Sequence, residues 1–284
     1  MPNVKILADS TSDLPRGLAE SMDIGIMPLY VLLGEKTYRD GVDIDQERIF
    51  AHFDRMQQTP TTSAPSVQDF TDFFAPYARQ KRDIVFIGIS ADMSATCQNA
   101  MLAAREFPDV TIRVVDSRSL SSGIGLLVIK AAQFSADGCT ADDIADRITA
   151  MTPRVRASFV IDTLTYLYRG GRCSRLQMMG ANALNLKPRI VVRDGRMSPD
   201  EKYRGRMIRV APRYARQTLG EERSFDPERA FVTHSRCEPE VVESVMEVVR
   251  SSGHFDEVID VDCGSVIASH CGPGTIGVLF IVRP

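Results

Sequence analysis

Ser94 and His270 are the residues that would supply a nucleophile and a base. His270 is one of four histidines; His52, His234 and His254 are scattered elsewhere. It stands directly before Cys271-Gly272-Pro273-Gly274, whose glycines let backbone approach a ligand closely. The pattern predicts a strand over 265–270, with His270 at its end. A Ser94–His270 pair would serve acyl or phosphate chemistry. Yet the chain has no GxSxG elbow, and no orienting acid stands at a recognisable spacing. Metal chemistry is poorly served. Asp260, Asp262 and Cys263, like His270 and Cys271, lack CxxC or HExxH spacing. Nucleotide loops of the GxxxxGK[ST] or strand-linked GxGxxG type are missing too. Gly170-Gly171-Arg172 reads as turn punctuation.

Hydroxyls carry a stronger signal. Three β-rich runs lead straight into Ser/Thr/Asp-rich turns: Asp9–Asp13, Ser90–Ser94 and Asp116–Ser122. Hydroxyls and free amides at helix N-termini suit an anionic group. One such turn does no more than cap a helix. Three turns converging with the Thr61–Ser66 loop imply a shared head-group site. Arg206, Arg209, Arg213 and Arg216 recur at three- and four-residue steps and form one basic helix face. Such a face is either plain solvated surface or a dock for an acidic or phosphate-bearing partner.

The elements that must hold these residues alternate in the first half. Strands are expected at 4–8, within 24–33, at 83–90 and at 110–115. Helices are expected at 14–22 (opened by Asp13 and Pro15), 45–56, 67–79, 94–107, 122–136 and 141–151. Gln58–Ser66 reads as a loop. The β-α-β-α order predicts a parallel sheet with helices on both faces, binding ligands beyond its strand carboxyl ends. The second half differs. Strands at 157–162, 229–234, 257–262, 265–270 and 277–282 accompany a hairpin, 190–193 with 196–198, turning at Asp194-Gly195. Helices are expected at 164–168, 176–184, 207–219 and 240–249. The fold class is therefore α/β in two domains. Residues 1–155 make a parallel-sheet α/β/α domain. Residues 156–284 make an α+β domain with a mixed sheet covered on one side, and the break falls near Thr152–Arg156.

Composition sets the limits. Hydrophobic residues are 44% and charged residues 25%, enough for a substantial core. The 34 Lys+Arg against 37 Asp+Glu leave a net −3, which disfavours a nucleic-acid binder. No apolar run approaches the roughly 18 residues of a membrane span. Six cysteines without a CxxC pair suit a reduced, cytoplasmic setting.

The motifs together resemble the DegV family, fatty-acid-binding proteins that serve as the carrier subunit of bacterial fatty acid kinases. The matching segments are Asp9-Ser10-Thr11-Ser12-Asp13-Leu14-Pro15, Pro60–Ser66 and Met93–Ala100. Asp116-Ser117, Leu164–Leu167 with Gly170-Gly171-Arg172, Lys187-Pro188, Asp194-Gly195 and His270–Gly274 follow in the family's order. The resemblance implies one long-chain fatty acid held between two domains, with no other cofactor. Its carboxylate is met by Thr62 and Ser94, with His270 close to the head group. Ser63, Ala95, Gly171 and Arg172, from the same motifs, complete the expected ligand-binding set. An ATP-dependent kinase subunit would phosphorylate the bound acid, docking at Arg204, Arg206 and Arg209, and the carrier itself would not be an enzyme.

Three positions depart from the family pattern. Ala95 replaces the usual glycine after the turn serine, Cys97 a tyrosine, and Ala64 the glutamine of the TSxP loop. Ala95 is harmless if Ser94 caps the helix, and the other two bear on pocket shape and partner choice. Tail-lining candidates are Phe159, Ile161, Leu164, Leu167, Met178 and Met179. The alternative to a carrier is an acyl- or phosphate-directed enzyme using Ser94 and His270. A weaker one is a DNA-binding regulator using the arginine face.

Overall fold

The computed structural model describes residues 4–173 and 186–284; the helix expected at 176–184, with Met178 and Met179, lies outside them. The first half runs β1 (Val4–Asp9), α1 (Arg16–Ser21), β2 (Ile24–Met27), β3 (Tyr30–Leu33), β4 (Lys36–Arg39), α2 (Gln46–Met56) and β5 (Thr61–Ser63). It continues through α3 (Val67–Arg79), β6 (Asp83–Gly88), α4 (Thr96–Ala104), β7 (Ile112–Asp116), α5 (Ser122–Ala136) and α6 (Ala141–Met151). Four strands pair in parallel in the order β2-β1-β6-β7. β1 is buried along its whole length, as a central parallel strand covered on both faces must be. Leu7, Ile84 and Phe86 face Phe70 and Phe74 of α3 and Ala100 of α4. The alternate residues Ile6, Val85 and Ile87 face the core that includes α5 and α6.

The second half runs β8 (Val155–Val160), α7 (Thr165–Gly170), β9 (Leu186–Arg193), β10 (Arg196–Arg204), α8 (Met207–Gly220), β11 (Phe225–Ser235), α9 (Pro239–Ser251), β12 (Glu257–Asp262), α10 (Ser265–Cys271) and β13 (Thr275–Val282). Its sheet is mixed, in the order β10-β9-β8-β13-β11-β12, parallel only between β11 and β12. Asp194 and Gly195, both at positive φ, close the β9–β10 hairpin. Val160, Ala230, Val232, Val278 and Phe280 pack under α8 and α9. The other face, which the sequence reading left uncovered, is not open. Phe159, Phe231 and Leu279 join the core that holds α5. This helix touches β1 and β6 on one side and β8 and β13 on the other. Ile124, Leu126, Leu127, Val128 and Ile129 are all buried, the mark of a helix enclosed all round. The covering helix comes from the other half of the chain, so no pattern within 156–284 announces it.

Four local features bear on the site. Residues 265–271 form a helix, not a strand, so His270 lies in the last turn of α10. Asp13 does not open α1. It sits at φ 49°, buried, and Pro15 precedes the helix without a side-chain cap. Met101 is on the exposed side of α4, whose buried face is Thr96, Cys97, Ala100 and Ala103. Residues 61–63 are a strand, and β4-β3-β5 make a small antiparallel sheet in which Thr62 pairs with Val31.

Candidate functional site

The parallel sheet reverses its strand order between β1 and β6, where such sheets open a ligand crevice at the strand carboxyl ends. Asp9 stitches this point together. Its carboxylate accepts from the N–H of Ile89 at 2.7 Å and of Thr11 at 2.9 Å. Burial pushes its pKa up to about 6. The turn after β6 then delivers Ser94, whose Oγ meets Thr96 Oγ1 at 2.8 Å and accepts weakly from the Thr96 N–H at 3.4 Å. Ala95 has φ −75°, so the missing glycine costs no strain there. Ser66 caps α3 through a reciprocal capping box with Asp69, fixing the exit of the Thr62 loop. Asn99 of α4 donates to the carbonyl of Pro65 at 2.7 Å. The Thr62 loop and the Ser94 turn are thereby tied to each other.

His270 arrives from the second half. Its Nε2 lies 2.8 Å from Thr62 Oγ1, and its buried Nδ1 has no hydrogen-bond partner among the described residues. Burial first, then the Arg172 guanidinium, lowers the ring's pKa to about 4, so the imidazole is neutral at neutral pH. A neutral imidazole carries one N–H. A proton on Nδ1 would be a buried donor without an acceptor, which is costly. The proton therefore belongs on Nε2, donating to Thr62 Oγ1 and leaving the Thr62 hydroxyl hydrogen free for a ligand. Gly170 makes the approach possible. A Cβ there would sit closer than 3.0 Å to Nδ1 and 3.3 Å from Cε1.

A narrow cavity of 50 Å³ gathers these groups. Thr62, Ser63, Ser94, Arg172 and His270 form its polar side, and Leu29, Ala64, Ile89, Met93 and Met197 its apolar side. Leu120, Ile267 and Cys271 also line a second, mostly apolar cavity that includes Phe159, Gly277 and Leu279. The two spaces are neighbours along one line between the sheets. Ala95 and Gly171 are not in the lining; both are exposed. Cys97 is buried with its thiol toward the carbonyls of Ile89 and Val115, so this departure touches the core and not the cavity. Ala64 does line it. Of the tail candidates, Phe159 reaches the inner cavity. Ile161 and Leu167 are fully buried core outside both linings, and half-buried Leu164 packs against that core. Asn99, Gly170, Leu120 and Ile267 did not stand out in the sequence. Asn99 and Gly170 lay inside recognised motifs, but their partners are distant in the chain.

The geometry is poor for nucleophilic catalysis. His270 engages Thr62 and not Ser94, no carboxylate orients its free nitrogen, and its lowered basicity suits a general base badly at neutral pH. Asp260 and Asp262 converge on His234, at 3.1 and 3.2 Å. Among the described residues no group of three or more ligating side chains is gathered for a metal. The glycines of Gly272-Pro273-Gly274 pack closely on Tyr166 and Asp162. Arg204, Arg206, Arg209, Arg213 and Arg216 are exposed at the end of β10 and along α8. No helix among the described residues is long and apolar enough to cross a membrane.

Known proteins share this architecture. A fatty-acid-binding DegV family protein from Thermus thermophilus superposes with a TM-score of 0.88 at 31% identity, over 99% of both chains. A stearic-acid-binding protein from Eubacterium ventriosum gives 0.83 at 28% identity, over 98% of both. A fatty acid-binding protein from Thermotoga maritima is 31% identical over 96% of both chains. The profile of the family described as "Uncharacterised protein, DegV family" matches residues 3–283. With that match running almost end to end, this chain belongs to the DegV family.

Proposed function

We propose that the protein binds one long-chain fatty acid between residues 1–155 and 156–284 and presents its carboxylate for phosphorylation. One observation carries this: a polar chamber of Thr62, Ser94 and His270 that adjoins an apolar space between the sheets. Thr62 and Ser94 donate hydroxyls to the carboxylate, Ser63 and Arg172 border it, and neutral His270 orients Thr62. Hydrogen bonds to a charged group contribute about 1.5–3 kcal/mol each. Each buried methylene contributes about 0.8 kcal/mol, so a long tail supplies on the order of 10 kcal/mol and dominates affinity. The head contacts fix orientation. A head group held directly by hydroxyls, with the ring neutral, stays a competent nucleophile as long as the Arg172 guanidinium borders the chamber without binding the carboxylate bidentately. The bound fatty acids of related proteins support the same ligand.

In the proposed reaction a carboxylate oxygen attacks the γ-phosphorus of ATP on a separate kinase subunit, ADP leaves, and an acyl phosphate results. The carrier supplies no catalytic group. Arg204, Arg206 and Arg209 form the docking face. Arg206 also lines a cleft with Lys187 and Arg236 beside Pro273-Gly274, on the side of the chain where α10 ends. Denaturing the purified protein and finding stoichiometric fatty acid by mass spectrometry is the expected result. Empty protein that turns over an acyl ester would overturn the carrier reading. With an ATP-dependent fatty acid kinase subunit and ATP, Thr62→Ala with Ser94→Ala is expected to abolish acyl phosphate while the lipid stays bound. Unchanged phosphorylation would refute the head-group assignment.

A further inference from the structure

Helix α10 has no cap of its own. Its N-cap residue is Gly264, which offers no side chain. Two buried aspartates from the first half of the chain do the capping. Asp13 Oδ1 accepts from the Gly264 N–H at 2.7 Å, and Asp40 Oδ1 accepts from the Ser265 N–H at 2.7 Å. The other oxygens are held as well: Ser121 donates to Asp13, and Ser10 donates to Asp40 at 2.8 Å. Neither aspartate forms an ion pair among the described residues, so both spend their bonding capacity on fixing backbone.

We infer that Asp13 and Asp40 are positioning residues: by capping α10 from across the interface they set the place of His270 against Thr62. A helix is stiff along its axis. Six residues separate Gly264 from His270, about 9 Å at 1.5 Å per residue. A displacement at the first turn is therefore delivered to the last. α10 packs on α2, α7, β3, β5 and the Ser10–Ser12 turn. Of these contacts, the two carboxylates supply directional bonds to its leading amides. Ser265 Oγ adds one bond to the Ile44 carbonyl at 3.2 Å. The inference explains why the Asp9–Asp13 segment ends in a second aspartate at positive φ: that conformation turns the side chain inward toward Gly264. Burial pushes the Asp13 pKa up to about 8. A protonated carboxyl accepts through one oxygen and donates through the other, as an asparagine amide does.

The inference rests on the proposed fatty-acid site for its binding arm only. In protein with ¹⁵N-labelled histidine, the Nε2 and Nδ1 shifts of His270 report its contact with Thr62 without any lipid. The ring faces Thr62, Gly170 and the Arg172 guanidinium, so these shifts belong to that environment. Asp13→Ala and Asp40→Ala are expected to move both shifts and to raise the ring's titration from about 4 toward its ordinary 6.5. Affinity for a fluorescent fatty acid falls about tenfold, the loss of one hydrogen bond. Asp13→Asn restores the wild-type signature.

Ser265→Pro guards against loss of folding. Proline is tolerated at a first helical position, and there it deletes the N–H that meets Asp40 together with the Ser265 Oγ bond to Ile44. It should reproduce the shift, whereas Ser265→Ala, which keeps the N–H, should not. Lys130→Ala removes an interface ion pair to Asp226 and Glu228 elsewhere, and should leave His270 untouched. Unmoved His270 shifts in Asp40→Ala and Ser265→Pro would overturn the inference, as would equal shifts in Lys130→Ala. If the shifts move as expected but wild-type protein binds no fatty acid, the positioning stands and the ligand reading falls.

Discussion

Gly170→Ala tests the packing of His270 on α7. Gly170 is the last residue of α7, and a Cβ there would enter the space of the His270 ring, closer than 3.0 Å to Nδ1. To regain 3.4 Å, the near edge of ordinary contact, the ring must recede by about half an ångström or more. Its Nε2 already stands 2.8 Å from Thr62 Oγ1, so the same movement compresses or breaks that bond. Loss of a buried hydrogen bond costs about 1–3 kcal/mol. That corresponds to roughly 5- to 150-fold weaker binding of fatty acid. The backbone effect runs the other way, since alanine stabilises a helix over glycine by about 0.5–1 kcal/mol. The helix gain offsets only part of the lost intramolecular bond, so the variant should lose up to about 2.5 kcal/mol of stability as its affinity falls, read by calorimetric unfolding beside displacement of a fluorescent fatty acid. Full affinity in a folded Gly170→Ala protein would refute the close packing of His270 on α7 and its part in the head-group site.

The two ends of the pH scale act through different groups. His270 is held near 4 against an ordinary 6.5, so the unfolded chain takes up a proton that the folded chain refuses. Stability should fall as pH drops from 6.5 to 4, by about 3 kcal/mol in full. A flatter acid limb in His270→Gln unfolding curves checks it, and an unchanged slope would count against it. Asp13 has the opposite sign. Its stabilising contribution is present below pH 3.8 and lost as pH rises through about 8, so Asp13→Asn should gain on wild type at pH 9. Equal loss in both proteins would refute the assignment. Ile267 stands at the junction of the two cavities. Ile267→Trp should shift co-purified acids to shorter chains, at about fourfold in affinity per excluded methylene. An unchanged acid profile would place the tail elsewhere.

What could be read from sequence followed locality. The helices over 67–79 and 141–151 follow from apolar periodicity and caps, which act over a few residues, and the parallel pairing of the first sheet follows from the β-α-β-α alternation. The ordered motifs gave the family. Of the hydroxyl-rich segments, only the Thr62 loop and the Ser94 turn bring hydroxyls to the cavity; the 116–122 turn sends Leu120 alone, and Asp9–Asp13 sends nothing. Residues 265–271 misled because Val266, Ile267 and Ala268 read as a buried strand. A fully buried helix of seven residues leaves no amphipathic trace. The capping that would have marked its start, Ser, Thr, Asp or Asn at position 264, is absent because the caps come from residues 13 and 40. The same distance hides Gly170. A glycine before a second glycine looks like a turn until the ring from residue 270 is seen against it.

These remote bonds also explain how a site can be built at an interface without becoming loose. Thr62 hangs from β5, at the edge of a three-stranded sheet that carries little core of its own. Asn99 ties its loop to α4, and His270 meets its hydroxyl from the other half of the chain. α10 is in turn held by Asp13 and Asp40, which belong to the same half as Thr62. The bonds therefore form a closed circuit: first half to α10, α10 to His270, His270 to Thr62, Thr62 back to the first half. In such a circuit a rigid-body slip between the halves cannot relieve one contact without straining another. Neutral partners suit it, because a charge at Thr62 or His270 would draw water or a counter-ion into the chamber. Removal of any one link, Gly264 N–H, Ser265 N–H or the Nε2 contact, should loosen the same head-group geometry. Double-mutant cycles between Asp40 and Thr62 should then be non-additive although the two side chains do not touch. Strict additivity of Asp40→Ala and Thr62→Ala in fatty-acid affinity would mean that the circuit is open.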